Sequence, residues 1–295
     1  MYDVKAASRP ILVGVEEESD AVRTVVRHAA RQAELHGSPL HLLHVLAGSD
    51  GTSDENSEGT GQKTPGASVV EPLAAWVHSE FPNVVVTAQT APGRAAEVLL
   101  ARSAEAATLV LGHRGTGGFA RLPLGSVSWQ VATHAECPVV IVRPGEAAEN
   151  PKARVVVGVD INDVSGEALD AAFAEAALRG ARLEMVHANL HLSEMPVGPG
   201  MVAPDFKALD EAALRILDAE ATQRAARYPG VEVRPHVERV RPSTLLTEAS
   251  QGASLLVVGS HGRTGLRRLM LGSVSAEALH TAACPVMVVP TTDHH

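Results

Sequence analysis

The chain has 295 residues, 45% hydrophobic but only 3% aromatic, and 34 acidic against 25 basic side chains give it a formal net charge of −9. An acidic chain without clustered aromatics is a poor partner for a phosphate backbone or for stacked single-stranded bases, so nucleic-acid binding is not expected. No apolar run of about 18 residues is present to span a membrane, the start MYDVKAASRP has no apolar leader core, and Cys137 and Cys284 lack a metal-ligand spacing, which makes a cytoplasmic protein without a structural metal the expectation.

In chain order, the predicted elements come twice. Each series opens with a continuous Val/Ile-rich run, 11–15 or 155–159, of the kind buried on both faces of a parallel sheet. A helix follows at 20–36 or 165–179, stopped by Gly37 or Gly180, the glycine expected just past a helix end. A second strand is expected at 40–46 or 183–188. The series then diverge through a polar Gly/Ser-rich loop (47–66) or an irregular one with more apolar content (189–205), and each re-enters a helix at 68–80 or 206–228. A third strand (83–89 or 231–239), a short helix (93–105 or 242–250) and a fourth strand (107–111 or 253–258) lead to a glycine-rich loop. A last helix (126–135 or 273–282) and a last strand (138–142 or 285–289) complete each series.

The two series are copies. Residues 112–142 align without gaps to 259–289, sharing Gly112/Gly259, Gly115/Gly262, Gly125/Gly272, the Gly-Ser-Val-Ser tetrads and Cys-Pro-Val. ILVGVE at 11–16 matches VVVGVD at 155–160, in the same order. The expected organisation is one domain at 1–145, a short Pro/Gly-containing linker at 146–152 and a second domain at 153–295. Strands alternating with helices predict an α/β fold: two tandem doubly wound, parallel five-stranded sheets with helices on both faces. Ligands of such sheets bind beyond the carboxyl ends of the strands. The acidic residue after strand one and the glycine loop after strand four both fall there.

The shared loop pattern is Gly-x-x-Gly, nine residues, Gly-Ser-Val-Ser. Glycines allow close backbone approach, and a helix N-terminus offers N–H donors and a positive dipole end, so the pattern reads as a phosphate cradle made of backbone. Ser126 and Ser273 are expected near the helix N-cap, and the hydroxyls of Ser126 and Ser128, or Ser273 and Ser275, as added donors. No Gly-x-x-x-x-Gly-Lys-Ser/Thr loop occurs.

These motifs resemble the universal stress protein family, in its ATP-binding, tandem-domain form, which shares the adenine-nucleotide alpha-hydrolase-like fold. VVVGVD and VVGSHGRTGLRRLMLGSVS are especially similar to it, and the resemblance covers essentially the whole chain. It implies an ATP site in each copy, with Mg²⁺ as a potential companion. In copy one the site residues would be Gly14, Val15, Glu16, Val45, Gly112, Arg114, Gly115, Gly125, Ser126, Val127 and Ser128. In copy two they would be Gly158, Val159, Asp160, Ala188, Gly259, His261, Gly262, Arg263, Gly272, Ser273, Val274 and Ser275. Asp160 would reach the ribose, with Val159 and Ala188 beside adenine; Glu16 departs from the usual aspartate. The run Glu16-Glu17-Glu18 would repel an anion in copy one.

No catalytic constellation emerges. A Gly-x-Ser-x-Gly elbow is missing, and His44 and His187, at matched strand ends, read as structural histidines. His113 and His261, inside the loops, are better placed to touch a ligand. The resemblance implies an ATP-binding stress-response regulator acting as a sensor or switch on an unknown protein partner. The alternatives are a slow ATPase or self-phosphorylating enzyme, and a dimerisation module with vestigial loops. The apolar last strands, 139–142 and 286–289, predict pairing of the two domains within one chain, and a homodimer of chains beyond it.

Overall fold

The computed structural model describes residues 9–46, 69–114, 124–143, 153–162, 164, 166–189, 205–260 and 270–291. The first half contributes β1 (Ile11–Val15), α1 (Asp20–His36), β2 (Leu40–Leu46), α2 (Val70–Glu80), β3 (Val86–Pro92), α3 (Ala95–Ser103), β4 (Thr108–Gly112), α4 (Ser126–His134) and β5 (Val139–Val142). The second contributes β6 (Val155–Gly158), α5 (Gly166–Arg179), β7 (Leu183–Ala188), α6 (Phe206–Ala225), β8 (Val233–Glu238), α7 (Pro242–Ser250), β9 (Leu255–Gly259), α8 (Ser273–Thr281) and β10 (Val286–Val289).

The strands form one sheet in the order β3-β2-β1-β4-β5-β10-β9-β6-β7-β8. Each half is a parallel five-stranded, doubly wound unit, and the halves meet through one antiparallel pair, β5 with β10. Val140 lies opposite Met287, its own equivalent in the repeat, so a pseudo-two-fold axis passes between them. The expected pairing of the terminal strands within the chain is therefore present, and it fuses the two five-stranded sheets into one ten-stranded sheet.

Side-chain alternation along the strands divides the apolar residues between two cores. Ile11, Val13 and Val15 face α1 and α2, while Leu12 faces α3 and α4. Each core runs through both halves, with Phe173 the largest fully buried side chain in a set dominated by Val, Leu, Ile and Ala. Helix α1 begins at Ser19, whose hydroxyl accepts from Val22 N at 3.3 Å, and it ends at Gly37 in the left-handed conformation (φ 60°).

The third strand departs from the sequence reading. It starts at Val86 instead of residue 83, because Val84 N–H donates to Phe81 O (3.0 Å) and closes a turn first. Val85 is left 68% exposed. The sheet's outer strands, β3 and β8, carry Pro92 and Pro235, residues that blunt an edge against further pairing.

Where the halves meet on one face, α1 packs on α5 around a buried polar cluster. Gln32 and Glu175 occupy equivalent positions, five residues before Gly37 and Gly180. Gln32 Nε2 donates to Glu175 Oε1 (2.5 Å), His36 Nε2 lies 2.8 Å from the same oxygen, and Arg179 donates to Glu175 Oε2 (2.9 Å) and to Gln32 Oε1 (2.7 Å).

Candidate functional site

The carboxyl ends of β1, β2, β4 and β5 surround a cavity of about 240 Å³ in the first half. Its floor is apolar, with Val25 from α1, Leu43 from β2, Leu99 from α3 and Leu111 from β4; Glu16, Ser19 and Arg114 also line it. Pockets that bury a whole ligand usually enclose about 300–1,000 Å³, so this one suits part of a ligand, with the remainder at the mouth. Gly14, Val15, Glu16, Val45, Gly112, Arg114, Val127 and Ser128 all line it. Sequence reasoning missed Ser19, Val22, Val25, Leu43 and Leu99; the readable signal was that α1 starts beside the end of β1, which turns its first two turns toward the same space.

The glycine loop leaves and re-enters this site at a pinned point. His113 N–H donates to Val142 O (2.8 Å), and Gly125 N–H donates back to His113 O (2.9 Å). Copy two repeats the frame: Ser260 N–H donates to Val289 O (2.8 Å) and Gly272 N–H to Ser260 O (2.9 Å). Gly115, His261, Gly262 and Arg263 lie outside the described residues.

Ser126 and Ser273 fall next to the helix N-caps, as expected, but the serine hydroxyls do not take the expected roles. The N-caps of α4 and α8 are Gly125 and Gly272, with no side-chain cap, and Ser126 and Ser273 are the first helical residues, both exposed. Ser128 and Ser275 are buried, and their hydroxyls donate inward, to Gly112 O (2.7 Å) and Gly259 O (2.6 Å). That proton is committed to tying the helix to the end of the fourth strand, so these hydroxyls are not spare donors. What the geometry offers an anion is the uncapped first turn, Ser126–Val127–Ser128 or Ser273–Val274–Ser275, since Trp129 and Ala276 make the first helical hydrogen bonds back to the cap glycines.

Gly14 is a packing position as well as a wall of the cavity. A Cβ there would lie 2.7 Å from Leu111 Cδ2 and 3.2 Å from Leu99 Cδ2. Gly158 stands in the matched place, 3.0 Å from Leu246 Cδ2 by the same construction.

In copy two, Val159, just past β6, and Ala188, at the end of β7, are both buried, one in each of the two cores. Asp160 Oδ1 accepts from Asn162 N (3.0 Å) and Nδ2 (3.2 Å), closing a turn after β6. His44 and His187 are structural, as expected: each lies with Nδ1 against the last carbonyl of the first-strand segment, Val15 O (3.0 Å) or Val159 O (2.8 Å). His187 Nε2 continues to Asn189 Oδ1 (2.9 Å), Asn189 Nδ2 donates to Asp210 (2.9 Å), and Arg239 pairs with Asp210 (2.6 Å). The Arg239 hydrogen bond holds the Asp210 carboxyl below its ordinary value. This relay secures α6 beside the copy-two strand ends.

The acidic run of copy one is partly neutralised, because Glu18 pairs with Arg23 of α1. On the cavity's other side, burial and then the guanidinium groups of Arg143 and Arg114 push the His113 imidazole down to about 4.

A doubly wound sheet, with its glycine loop anchored at both ends and an uncapped helix start at its carboxyl edge, has the layout in which α/β proteins place their ligands. The profile of the Universal stress protein family matches residues 7–143 and again residues 153–290. The chain belongs to this family and is a tandem member of it. A universal stress protein of Mycolicibacterium smegmatis is 33% identical over 295 residues, 95% of this chain and 96% of that protein. One from Mycobacterium tuberculosis strain H37Rv is 34% identical over 301 residues, 94% of each. Among solved structures, a universal stress protein of Pseudomonas aeruginosa superposes with a TM-score of 0.64 at 20% identity, over 98% of this chain and 95% of that one. One from Archaeoglobus fulgidus gives 0.66 at 18%, over 96% and 98%. At these identities the structures speak to the fold alone, and they share it along the full tandem. Among the described residues no helix is long and apolar enough to cross a membrane.

Proposed function

We propose that this universal stress protein is an ATP-binding regulator, with one adenine-nucleotide site in each half, that acts in the cytoplasm on a protein partner as a sensor or switch. The observation that carries this reading is the convergence of Gly14, Val15, Glu16, Val45, Gly112, Val127 and Ser128 on one cavity beside an uncapped helix start. The apolar floor suits a base, Glu16 at the wall suits ribose hydroxyls, and the first-turn N–H groups of α4 suit phosphate oxygens. Copy two presents the same frame with Val159, Asp160, Ala188 and the start of α8. Any Mg²⁺ would enter with the phosphates: among the described residues no cluster of three His, Cys, Asp or Glu side chains stands ready for a metal.

The signal would be a population shift. Nucleotide bound between the end of β1 and the start of α4 favours one conformation of the protein over another, and the partner reads that difference. A homodimer of chains, if formed, uses a surface other than β5 and β10, which are consumed within the chain. Acid release of nucleotide from freshly purified protein tests the reading: adenine nucleotide approaching two per chain is expected, and protein that carries none and gains no thermal stability with ATP would overturn it.

A further inference from the structure

The two copies differ at the first residue after the fourth strand, and the difference is a titratable ring. In copy two this residue is Ser260, buried, with its hydroxyl oxygen accepting from Thr291 N at 3.2 Å. In copy one it is His113, whose backbone is fixed on both sides by Val142 and Gly125 and whose residue lines the cavity. Its Nε2 is shielded from water and has no hydrogen-bond partner among the described residues. A buried polar nitrogen without a partner is costly, and is a place where a ligand gains by supplying one.

The charged and titratable groups around this ring come from several elements. Arg114 follows it in the chain, Arg143 follows β5, and His280 comes from α8 of the other half; Glu16 lines the same cavity. Arg143 donates to Leu279 O of α8 at 2.6 Å. His280 stacks on Trp129 of α4, ring centroids 6.2 Å apart and planes 7° from parallel, and its Nδ1 is also buried without a partner; Arg143 and Glu277 face it. The second half thus brings one titratable ring, His280, within electrostatic reach of His113, while the cavity lining itself comes from the first half. The repeat equivalents of His280 and Trp129 are Thr133 of α4 and Ala276 of α8, so this stacked pair has no counterpart beside the copy-two site.

We propose that His113 takes up a proton when a phosphate-bearing ligand binds in copy one, so that occupancy of copy one, and not of copy two, rises as pH falls. The proposal rests on the nucleotide reading of the cavity. Without ligand, Arg114 and Arg143 disfavour another positive charge and the ring is neutral, its titration lying near 4. A bound phosphate supplies the opposite field, and the imidazolium then donates to a phosphate oxygen in a charge-assisted hydrogen bond. The step is one proton passing from the buffer to the ring; no bond of the ligand breaks.

The test is calorimetric titration of nucleotide-stripped, full-length protein with ATP, in buffers of different ionisation enthalpy and from pH 5.5 to 8. Copy one is identified as the site lost in Val45→Trp, which fills the cavity. Copy-one affinity is expected to be about tenfold higher at pH 5.5 than at pH 8, with net proton uptake, if the bound ring titrates near 6.5. The phosphate's own titration is common to both sites, and copy two supplies that baseline. His113→Ser, which installs the copy-two residue, is expected to remove the excess uptake and slope, its copy-one affinity at every pH approaching that of the parent at pH 8. His113→Gln provides the same test should the serine variant fold poorly. Equal proton uptake at both sites, or an unchanged slope in these variants, overturns the inference and leaves the nucleotide reading standing. No ATP binding at copy one overturns both.

Discussion

Glu175→Ala removes the carboxylate that Gln32, His36 and Arg179 share in the buried cluster where α1 meets α5. Glu175 is 2% exposed and Arg179 7%, so the variant leaves a guanidinium inside the domain border with Gln32 Oε1 as its remaining cross-border acceptor. Deleting one member of a buried pair costs about 3–5 kcal/mol in general. A second route gives a similar size. Burial alone would push the Glu175 carboxyl up, yet Arg179 and His36 overcome it and hold the group at about 2, against an ordinary 4.5. That displacement corresponds to about 3 kcal/mol in favour of the charged form. Because the folded-state value is depressed, this contribution is complete above about pH 4.5 and is lost as pH falls toward 2. Urea unfolding should show the variant destabilised by about 3 kcal/mol at pH 7, with the gap to the parent narrowing between pH 5 and pH 3. A gap below about 1 kcal/mol at pH 7, or one that widens in acid, would refute the reasoning.

Three further outcomes follow from the geometry. Gly14→Val should cost about 1–3 kcal/mol in thermal or urea unfolding, since a Cβ would press on buried Leu111 and Leu99, whereas Gly112→Ala, with its nearest neighbours at 3.4 and 3.5 Å, should stay within about 1 kcal/mol. Ser128→Ala and Ser275→Ala should each lose about 1–2 kcal/mol, because each orphans a hydrogen bond to the glycine carbonyl that ends the fourth strand; stability unchanged in both would dissociate these hydroxyls from the fold. The Cys137 thiol, which burial pushes up to about 12, should resist alkylation at pH 8 in native protein and react once urea unfolds it, as peptide mass mapping will show.

Much of this architecture was legible because its signals are local or repeated. Continuous Val/Ile runs marked β1 and β6, Gly37 and Gly180 marked the ends of α1 and α5, and the copied glycine pattern marked the carboxyl edge where the cavity lies. The fusion of the two sheets could be anticipated from the apolar β5 and β10, each short and without a charge. Other features depend on partners distant in sequence. Val84 and Val85 read as strand because they are β-branched, but a turn back to Phe81 claims them first. Ser128 and Ser275 look like donors for a ligand until the Gly112 and Gly259 carbonyls are found within reach. Glu18 looks like one of three bare charges until Arg23 of α1 is set beside it. The Gln32–Glu175 contact did leave a trace, a polar residue five positions before each helix-ending glycine on an otherwise apolar stripe, but its meaning needs the pseudo-two-fold axis that only the assembled sheet supplies.

The most direct test of the central claim is native mass spectrometry of the intact, nucleotide-stripped chain titrated with ATP. Two successive ATP adducts are expected at saturation, falling to one in Val45→Trp, which fills the copy-one cavity. A chain that stays free of adduct at ATP concentrations where a control nucleotide-binding protein is fully loaded would contradict the account.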